Sequence, residues 1–124
     1  MNKSPLGQHV ILDFWGCSFD SLDDLALIRK MFDDALAASN ASVIEIVMHK
    51  FSPQGVTGVA AIAESHVSIH TWPELGFAAI DVFSCGVTMN VENLISHFET
   101  ILQPTDVDRQ TLSRGRSLRL AKTR

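Results

Sequence analysis

Residues 56–85, VTGVAAIAESHVSIHTWPELGFAAIDVFSC, contain three short runs of apolar and β-branched residues, and these runs decide the fold. The runs cover 56–63, 66–72 and 77–85, and Pro73 together with Gly76 bounds the second of them. Short runs rich in valine, isoleucine and phenylalanine, bounded by turn residues, are typical of β-strands. We therefore expect consecutive strands through the middle of the chain.

Two further strand patterns precede this central block. His9 to Trp15 is short and β-rich, and Gly16 ends it. Ser42 to Phe51 alternates so that one of its faces is clearly apolar. The sequence SPQG at 52–55 is a turn signal that separates this strand from the central block.

Two segments have the spacing of amphipathic helices. The first is predicted from about residue 21 to 38, with Ser21 as its N-cap and its end near Asn40; its apolar positions are Leu22, Leu25, Ile28, Phe32 and Leu36. The second is predicted to begin after Asn90 and to end at Pro104; its apolar stripe is Val91, Leu94, Ile95, Phe98 and Leu102.

The order of these elements predicts a two-layer α+β sandwich, in which two helices cover one face of an antiparallel sheet. The other face would expose many valine, isoleucine and alanine side chains to water, and we therefore expect a homodimer. Residues 1–103 are predicted to form this single domain. Residues 104–124 are predicted to be a basic, mobile tail, in which 107–113 have the pattern of a short strand.

The composition is that of an ordinary globular protein, with 46% hydrophobic and 19% charged residues. No apolar run reaches the roughly 18–20 residues of a membrane span, and the start MNKSPLGQH lacks the apolar core of a signal peptide. We expect a soluble, cytoplasmic protein with no membrane partner. Its two cysteines are too few for a disulfide framework and are expected to be reduced.

The net charge of −4 is unevenly distributed along the chain. Residues 1–103 hold twelve acidic and four basic residues, whereas residues 104–124 hold two acidic and six basic residues. A basic tail suggests nucleic acid, but no aromatic residue for base stacking is interleaved with its arginines. We therefore expect no nucleic-acid partner.

Residues 64–74 concentrate Glu64, Ser65, His66, His70 and Glu74 in a segment that otherwise has the pattern of a strand. A zinc site could draw on His49, His66, His70 and Cys85, because imidazole and thiolate are good zinc ligands. Their spacing matches no compact zinc finger. We therefore expect no metal.

Nucleophilic chemistry is a second way to use the same residues. A serine hydrolase would need Ser65, His70 and Asp81, but the G-x-S-x-G elbow of such enzymes is absent. A pair of Cys85 with His70 would make a cysteine nucleophile, and the sequence alone leaves that alternative open.

The segment HKFSPQGVTGVAAIAESHVSIHTWPELGFAAIDVFSCG, residues 49–86, resembles the core of the prokaryotic S-adenosylmethionine decarboxylase proenzymes, a self-cleaving, pyruvoyl-dependent family. The string E-S-H-x-x-I-H-T-W-P-E is long and chemically unusual, which makes it a specific signal. LGQHVILDFWGC near the N-terminus resembles the opening strand of the family, so the likeness covers about residues 1–100.

The resemblance implies that the chain cleaves itself between Glu64 and Ser65, giving chains 1–64 and 65–124. The Ser65 hydroxyl would attack the Glu64 carbonyl, and His70 would remove the Ser65 α-proton, so that residue 65 becomes a pyruvoyl group. Thr57 stands where the family commonly has a serine that assists this processing, and it retains the hydroxyl.

The resemblance also implies roles in turnover. The pyruvoyl group from Ser65 would form a Schiff base with S-adenosylmethionine, and Cys85 would donate the proton that replaces the lost carboxylate. Phe51 would stack on the adenine and Glu74 would accept hydrogen bonds from the ribose. The product would be the aminopropyl donor for spermidine synthesis, and the active site would lie near each interface of a homodimer.

Two rival functions and one geometric difficulty accompany this hypothesis. The same frame could decarboxylate ornithine or arginine, or it could be a non-catalytic module that binds a nucleoside or regulates a partner. Side chains alternate along a strand, so Ser65 and His70, which are five residues apart, would face opposite sides. Their cooperation requires a bend or bulge between them, or the approach of His70 from another direction.

Overall fold

A computed structural model describes residues 5–86 and 88–115 of the chain. The elements of this part are β1 (Gly7–Trp15), α1 (Phe19–Leu22), α2 (Leu25–Ala38), β2 (Val43–Lys50), β3 (Val56–Ile62), β4 (Ser65–Trp72), a 3₁₀ turn (Pro73–Leu75), β5 (Phe77–Ser84), α3 (Val91–Leu102) and β6 (Asp106–Arg114). None of the helices in this part is long and apolar enough to span a bilayer.

The six strands form one sheet in the order β2-β3-β4-β5-β1-β6. Neighbouring strands are antiparallel throughout. The predicted α+β sandwich is thus confirmed. The central strands of the sheet carry the residues that the sequence singled out.

The helices cover one face of the sheet because each central strand turns alternate apolar side chains towards them. Along β5, Ala78, Ile80 and Val82 are fully or almost fully buried, and they join one core with the stripes of α2 and α3. Phe32 and Phe98 stack at the centre of the helix layer with ring centroids 5.3 Å apart. Burial of a side chain of this size contributes about 1.5–3 kcal/mol to folding.

The opposite face of the sheet, called the uncovered face below, has no covering layer among the described residues. Trp15, Val59 and Trp72 on this face are each 40% exposed. On the four central strands the uncovered face consists of His9, Ile11, Asp13, Trp15, Thr57, Val59, Ala61, His66, Ser68, His70, Trp72, Phe77, Ala79, Asp81 and Phe83.

The first helical segment is divided in two, which corrects the prediction of one helix over 21–38. Ser18, not Ser21, caps α1, since its hydroxyl accepts a hydrogen bond from the Ser21 N–H at 3.1 Å. Asp24 then starts α2 by accepting from the Leu27 N–H at 3.0 Å. The predicted end is confirmed, because α2 stops at Ala38, shortly before Asn40.

The second helix and the remaining strands match their predictions within about two residues. Asn90 caps α3 through a hydrogen bond from the Asn93 N–H at 3.0 Å, and α3 ends at Leu102. The apolar face of β2 is less buried than its alternation suggests. The strand lies at the edge of the sheet with a register shift between Val43 and Glu45, and Ile44 is 71% exposed.

The C-terminal segment corrects the predicted domain boundary at residue 103. Residues Asp106–Arg114 form β6, which pairs with β1 along its whole length. Arg109 also forms an ion pair with Glu92 on α3, so this part of the tail belongs to the domain. The strand pattern noted at 107–113 is therefore confirmed. The rest of the predicted tail, residues 116–124, lies outside the described residues.

Candidate active site

A two-residue turn joins β3 to β4 and contains the Glu64–Ser65 peptide at its end. Ile62 and Ser65 are cross-strand partners, so Ala63 and Glu64 form the turn. The Ala63 N–H donates to the Ser42 carbonyl at 2.8 Å. The position of the turn is thus fixed against the start of β2.

The side chain of Glu64 holds the same turn from two sides. One carboxylate oxygen accepts from the Ser42 N–H at 3.1 Å, and the other accepts from the Thr88 hydroxyl at 3.3 Å. The hydrogen bond from Ser42, with a smaller contribution from Thr88, lowers the pKa of Glu64 below its usual value. Ser42 and Thr88 were not predicted from the sequence, since neither belongs to a recognisable pattern.

The backbone around this peptide has two unusual features. The carbonyl oxygen of Glu64 accepts a hydrogen bond from the Cys85 N–H at 2.8 Å, which polarises the carbonyl. Ser65 has a φ of +154°, in a region that costs a non-glycine residue on the order of 1–3 kcal/mol. Its hydroxyl lies 3.7 Å from the Cys85 thiol. Glu64, Ser65 and Cys85 therefore form one group at one end of the sheet.

His70 belongs to a second group. Its Nδ1 lies 3.0 Å from the Thr57 hydroxyl on the neighbouring strand. The pairing of β4 with β5 is regular from Ser65 to Trp72, so no bulge rotates His70 towards Ser65. At about 3.3 Å per residue, the two residues are roughly 16 Å apart along the strand. A single chain does not bring them together.

An open cleft lies beside this second group. It has a volume of about 440 Å³, within the usual range for small-molecule sites. Its lining residues are Phe51, Pro53, Gln54, Gly55, Thr57, His70, Thr71, Trp72 and Glu74. The predicted substrate-binding residues Phe51 and Glu74 thus share one cleft with Thr57 and His70, and Phe51 is 46% exposed.

The alternative zinc and hydrolase sites are not assembled within the chain. Across residues 5–86 and 88–115, no three histidine, cysteine or acidic side chains are close enough to share a metal ion. Asp81 accepts hydrogen bonds from His9 at 3.1 Å and from Ser68 at 3.3 Å. His70, which a hydrolase triad would require beside Asp81, is instead bonded to Thr57.

The two cysteines differ in accessibility. Cys17 is buried, and burial raises its pKa to about 11, which makes its thiol unreactive. Cys85 is exposed immediately after β5, beside Ser65. Of the two thiols, only that of Cys85 can contact a substrate near residue 65.

Comparisons with known proteins give a consistent result. The sequence model of the S-adenosylmethionine decarboxylase family matches residues 8–115. An S-adenosylmethionine decarboxylase proenzyme of Methanococcus maripaludis (strain C7 / ATCC BAA-1331) is 51% identical over 110 residues, which are 89% of this chain and 90% of that protein. A proenzyme of the same name from Moorella thermoacetica is 43% identical over 89% of this chain and 88% of its own length.

A solved structure agrees with these sequences. The crystal structure of the adenosylmethionine decarboxylase from Aquifex aeolicus VF5 superposes with a TM-score of 0.84 and 36% identity. The match covers 90% of this chain and 92% of that chain.

Proposed function

The chain belongs to the S-adenosylmethionine decarboxylase family, and we propose that it cleaves itself between Glu64 and Ser65 and then decarboxylates S-adenosylmethionine. The observation that carries this proposal is the geometry of the Glu64–Ser65 peptide. Its carbonyl oxygen lies 2.8 Å from the Cys85 N–H, and the following residue has a φ of +154°.

The proposed processing has three steps. The Ser65 hydroxyl attacks the Glu64 carbonyl carbon, and the peptide C–N bond breaks to leave an ester and a free amine. Removal of the Ser65 α-proton then breaks the bond between Cβ and the ester oxygen, so that Glu64 leaves as a carboxylate. Water finally replaces the nitrogen of residue 65, which departs as ammonia and leaves a pyruvoyl group. The Cys85 N–H stabilises the oxyanion of the first step.

The base that removes the α-proton is His70 of the partner subunit. Within one chain His70 is roughly 16 Å from Ser65, whereas proton transfer requires contact at about 3 Å. A two-fold axis running across the strands at the level of Ser68 would lay the Ser65 end of each β4 against the His70 end of the partner's β4. Each dimer would then hold two complete sites, as two-fold symmetry requires.

The uncovered face is the surface through which the chains pair. It combines the exposed rings of Trp15 and Trp72 with Val59, Ile11 and Ala79, and a patch of this kind is unfavourable in water. Both site groups lie along this sheet layer, at opposite ends of β4. His70 lies on this face, whereas Ser65 alternates to the other side of β4, so a second copy that covers this face must bring its His70 to the Glu64–Ser65 turn at the end of the strand.

The pyruvoyl carbonyl supplies the electron sink that amino-acid decarboxylation needs. The exposed Cys85 thiol, beside residue 65, holds the proton that replaces the carboxylate. Phe51 and Glu74 of the partner subunit present an aromatic face for the adenine and a carboxylate for the ribose hydroxyls. We propose that the product serves as the aminopropyl donor for spermidine synthesis.

A smaller amino acid, ornithine or arginine, is the second candidate substrate. The reacting groups do not discriminate against a smaller amino acid, because they act only at the α-carbon and its amino and carboxylate groups. The cleft of about 440 Å³ with Phe51 and Glu74 favours a nucleoside substrate, since a smaller amino acid would leave both without a partner. A purely regulatory module would not require the combination of Ser65, His70 and Cys85 that this chain retains.

The experiment compares wild type with Ser65→Ala on a denaturing gel and measures carbon dioxide release from S-adenosylmethionine, ornithine and arginine. Wild type should separate into two chains and release carbon dioxide from S-adenosylmethionine alone. Ser65→Ala should remain one inactive chain. Cleavage of Ser65→Ala at the same bond would refute the processing mechanism, and release from ornithine or arginine alone would refute the substrate.

A further inference from the structure

The loop between β2 and β3, residues 51–55, forms one wall of the cleft. The Phe51 N–H donates to the Gly55 carbonyl at 2.8 Å, so the two ends of the loop are bonded to each other. Gly55 has a φ of +112°, which L-residues rarely adopt. The conformation of this loop determines the position of the Phe51 ring.

Asp23, at the junction of α1 and α2, contacts Gly55 at one end of this loop and Lys50, which immediately precedes the other end, from outside the cleft. One of its carboxylate oxygens accepts from the Gly55 N–H at 2.9 Å and lies 2.9 Å from Lys50 Nζ. Lys50 Nζ in turn donates to the Phe51 carbonyl at 3.1 Å. The hydrogen bond from Lys50, followed by that from Gly55, lowers the pKa of Asp23, so the carboxylate is charged at neutral pH.

The buried Thr71 hydroxyl also links the junction of α1 and α2 to the end of the loop. Thr71 Oγ1 donates to the Leu22 carbonyl at 2.8 Å and accepts from the Val56 N–H at 2.8 Å. Two successive N–H groups at the end of the loop are therefore bonded to Asp23 and Thr71. The junction of α1 and α2 thus fixes the loop against the sheet.

We propose that Asp23 is a positioning residue for substrate binding, which holds loop 51–55 so that Phe51 meets the adenine. This inference rests on the proposed function, because it assumes that the cleft takes the nucleoside. Asp23 lines no part of the cleft itself and acts through Gly55 and Lys50. Asp23 is bonded to Gly55 and Lys50, whereas the processing base His70 is held by Thr57, so we expect self-processing to continue without Asp23.

Asp24 provides the matched control. It is the adjacent carboxylate and caps α2 by accepting from the Leu27 N–H at 3.0 Å. Its removal costs helix stability but releases no part of the loop. A role of Asp23 in stability alone would make Asp23→Ala and Asp24→Ala behave alike in substrate binding.

The experiment measures KM and kcat for S-adenosylmethionine, together with adenosine binding by calorimetry, on processed enzyme. Asp23→Ala should raise KM and the adenosine dissociation constant roughly 3- to 10-fold, the cost of ordering a loop and an aromatic side chain on binding. The turnover number kcat should change less than about twofold, because the lost interaction stabilises the bound substrate and the transition state equally. Asp23→Asn, which still accepts from Gly55 but does not attract Lys50, should fall between Asp23→Ala and wild type.

Equal KM and adenosine affinity in Asp23→Ala and wild type would overturn the inference, as would an equal change in Asp24→Ala. A rise in KM accompanied by incomplete cleavage at Glu64–Ser65 would also overturn it. Adenosine binding does not depend on turnover. If S-adenosylmethionine proved not to be the substrate while adenosine still bound more weakly to Asp23→Ala, the proposed function would fail and the role of Asp23 would stand.

Discussion

The placement of Ser65 and His70 predicts that processing occurs between two chains, and a mixture of two inactive variants tests it. His70→Ala retains the scissile Glu64–Ser65 peptide but lacks the base. Ser65→Ala retains the base but has no hydroxyl to attack. A homodimer of either variant lacks one of the two groups in both chains and cannot complete cleavage. Because the two residues are roughly 16 Å apart in one chain, a complete site needs Ser65 from one chain and His70 from the other. A mixed dimer contains one complete site.

The expected extent of cleavage follows from random pairing. When both variants are made in equal amounts in the same cells, about half of the His70→Ala chains find a Ser65→Ala partner, and these should be cleaved. A threefold excess of Ser65→Ala raises that fraction to about three quarters. An affinity tag on Ser65→Ala isolates the mixed dimers, and a denaturing gel shows which chain is cut.

The control partner is the double variant Ser65→Ala/His70→Ala, which pairs equally well but supplies no base. It should leave every His70→Ala chain uncut or stalled at the ester, which hydroxylamine would cleave. Equal cleavage with the double variant would refute the two-chain site. So would intact His70→Ala chains in mixed dimers that have been isolated with Ser65→Ala.

Two further predictions concern single side chains. Cys85→Ala should still be processed, since the Cys85 contact with Glu64 is made by the backbone N–H, but its carbon dioxide release should fall roughly 10²- to 10⁴-fold; normal release would make the thiol structural. In the uncleaved Ser65→Ala background, Glu64→Gln should lower Tm at pH 7 by about 2–5 °C. Folding lowers the pKa of Glu64, so the carboxylate stabilises the protein above the usual glutamate pKa, and this stabilisation is lost as pH falls through the folded value. The Tm values with and without Glu64→Gln should therefore be nearly equal near pH 3. A Tm difference that does not depend on pH would contradict the role of the carboxylate.

Much of the fold was predictable from local patterns. The strands of the central block and helix α3 carry strong periodicity and clear end signals, such as Asn90 before α3. The break between α1 and α2 was not predictable, because Asp23 and Asp24 both look like acids of a first helical turn. Their different roles depend on Gly55 and Lys50, which are distant in sequence.

The end of the domain was misplaced for a related reason. The segment 106–114 is polar and mostly exposed, so its own residues indicate a tail. It is ordered as a strand because β1 offers an unpaired edge to it. Pairing of this kind depends on backbone hydrogen bonds, which leave little trace in side-chain composition.

The sequence supplied the candidate site residues but not their arrangement. The motif around Ser65 pointed to the candidate reacting groups, and alternation along β4 already signalled that His70 could not face Ser65. The absence of a bulge became visible only with the register of β4 on β5. The anchors Ser42 and Thr88 carry no signal, since each acts through one hydrogen bond to Glu64.

The most direct test of self-processing is an intact mass spectrum of the purified wild-type protein under denaturing conditions. We predict two chains, 1–64 and 65–124, with the second lighter by one ammonia than a chain that begins with serine. Its new terminus should also react with hydrazines and resist Edman degradation. A single chain of 124 residues that releases carbon dioxide from S-adenosylmethionine would contradict the mechanism.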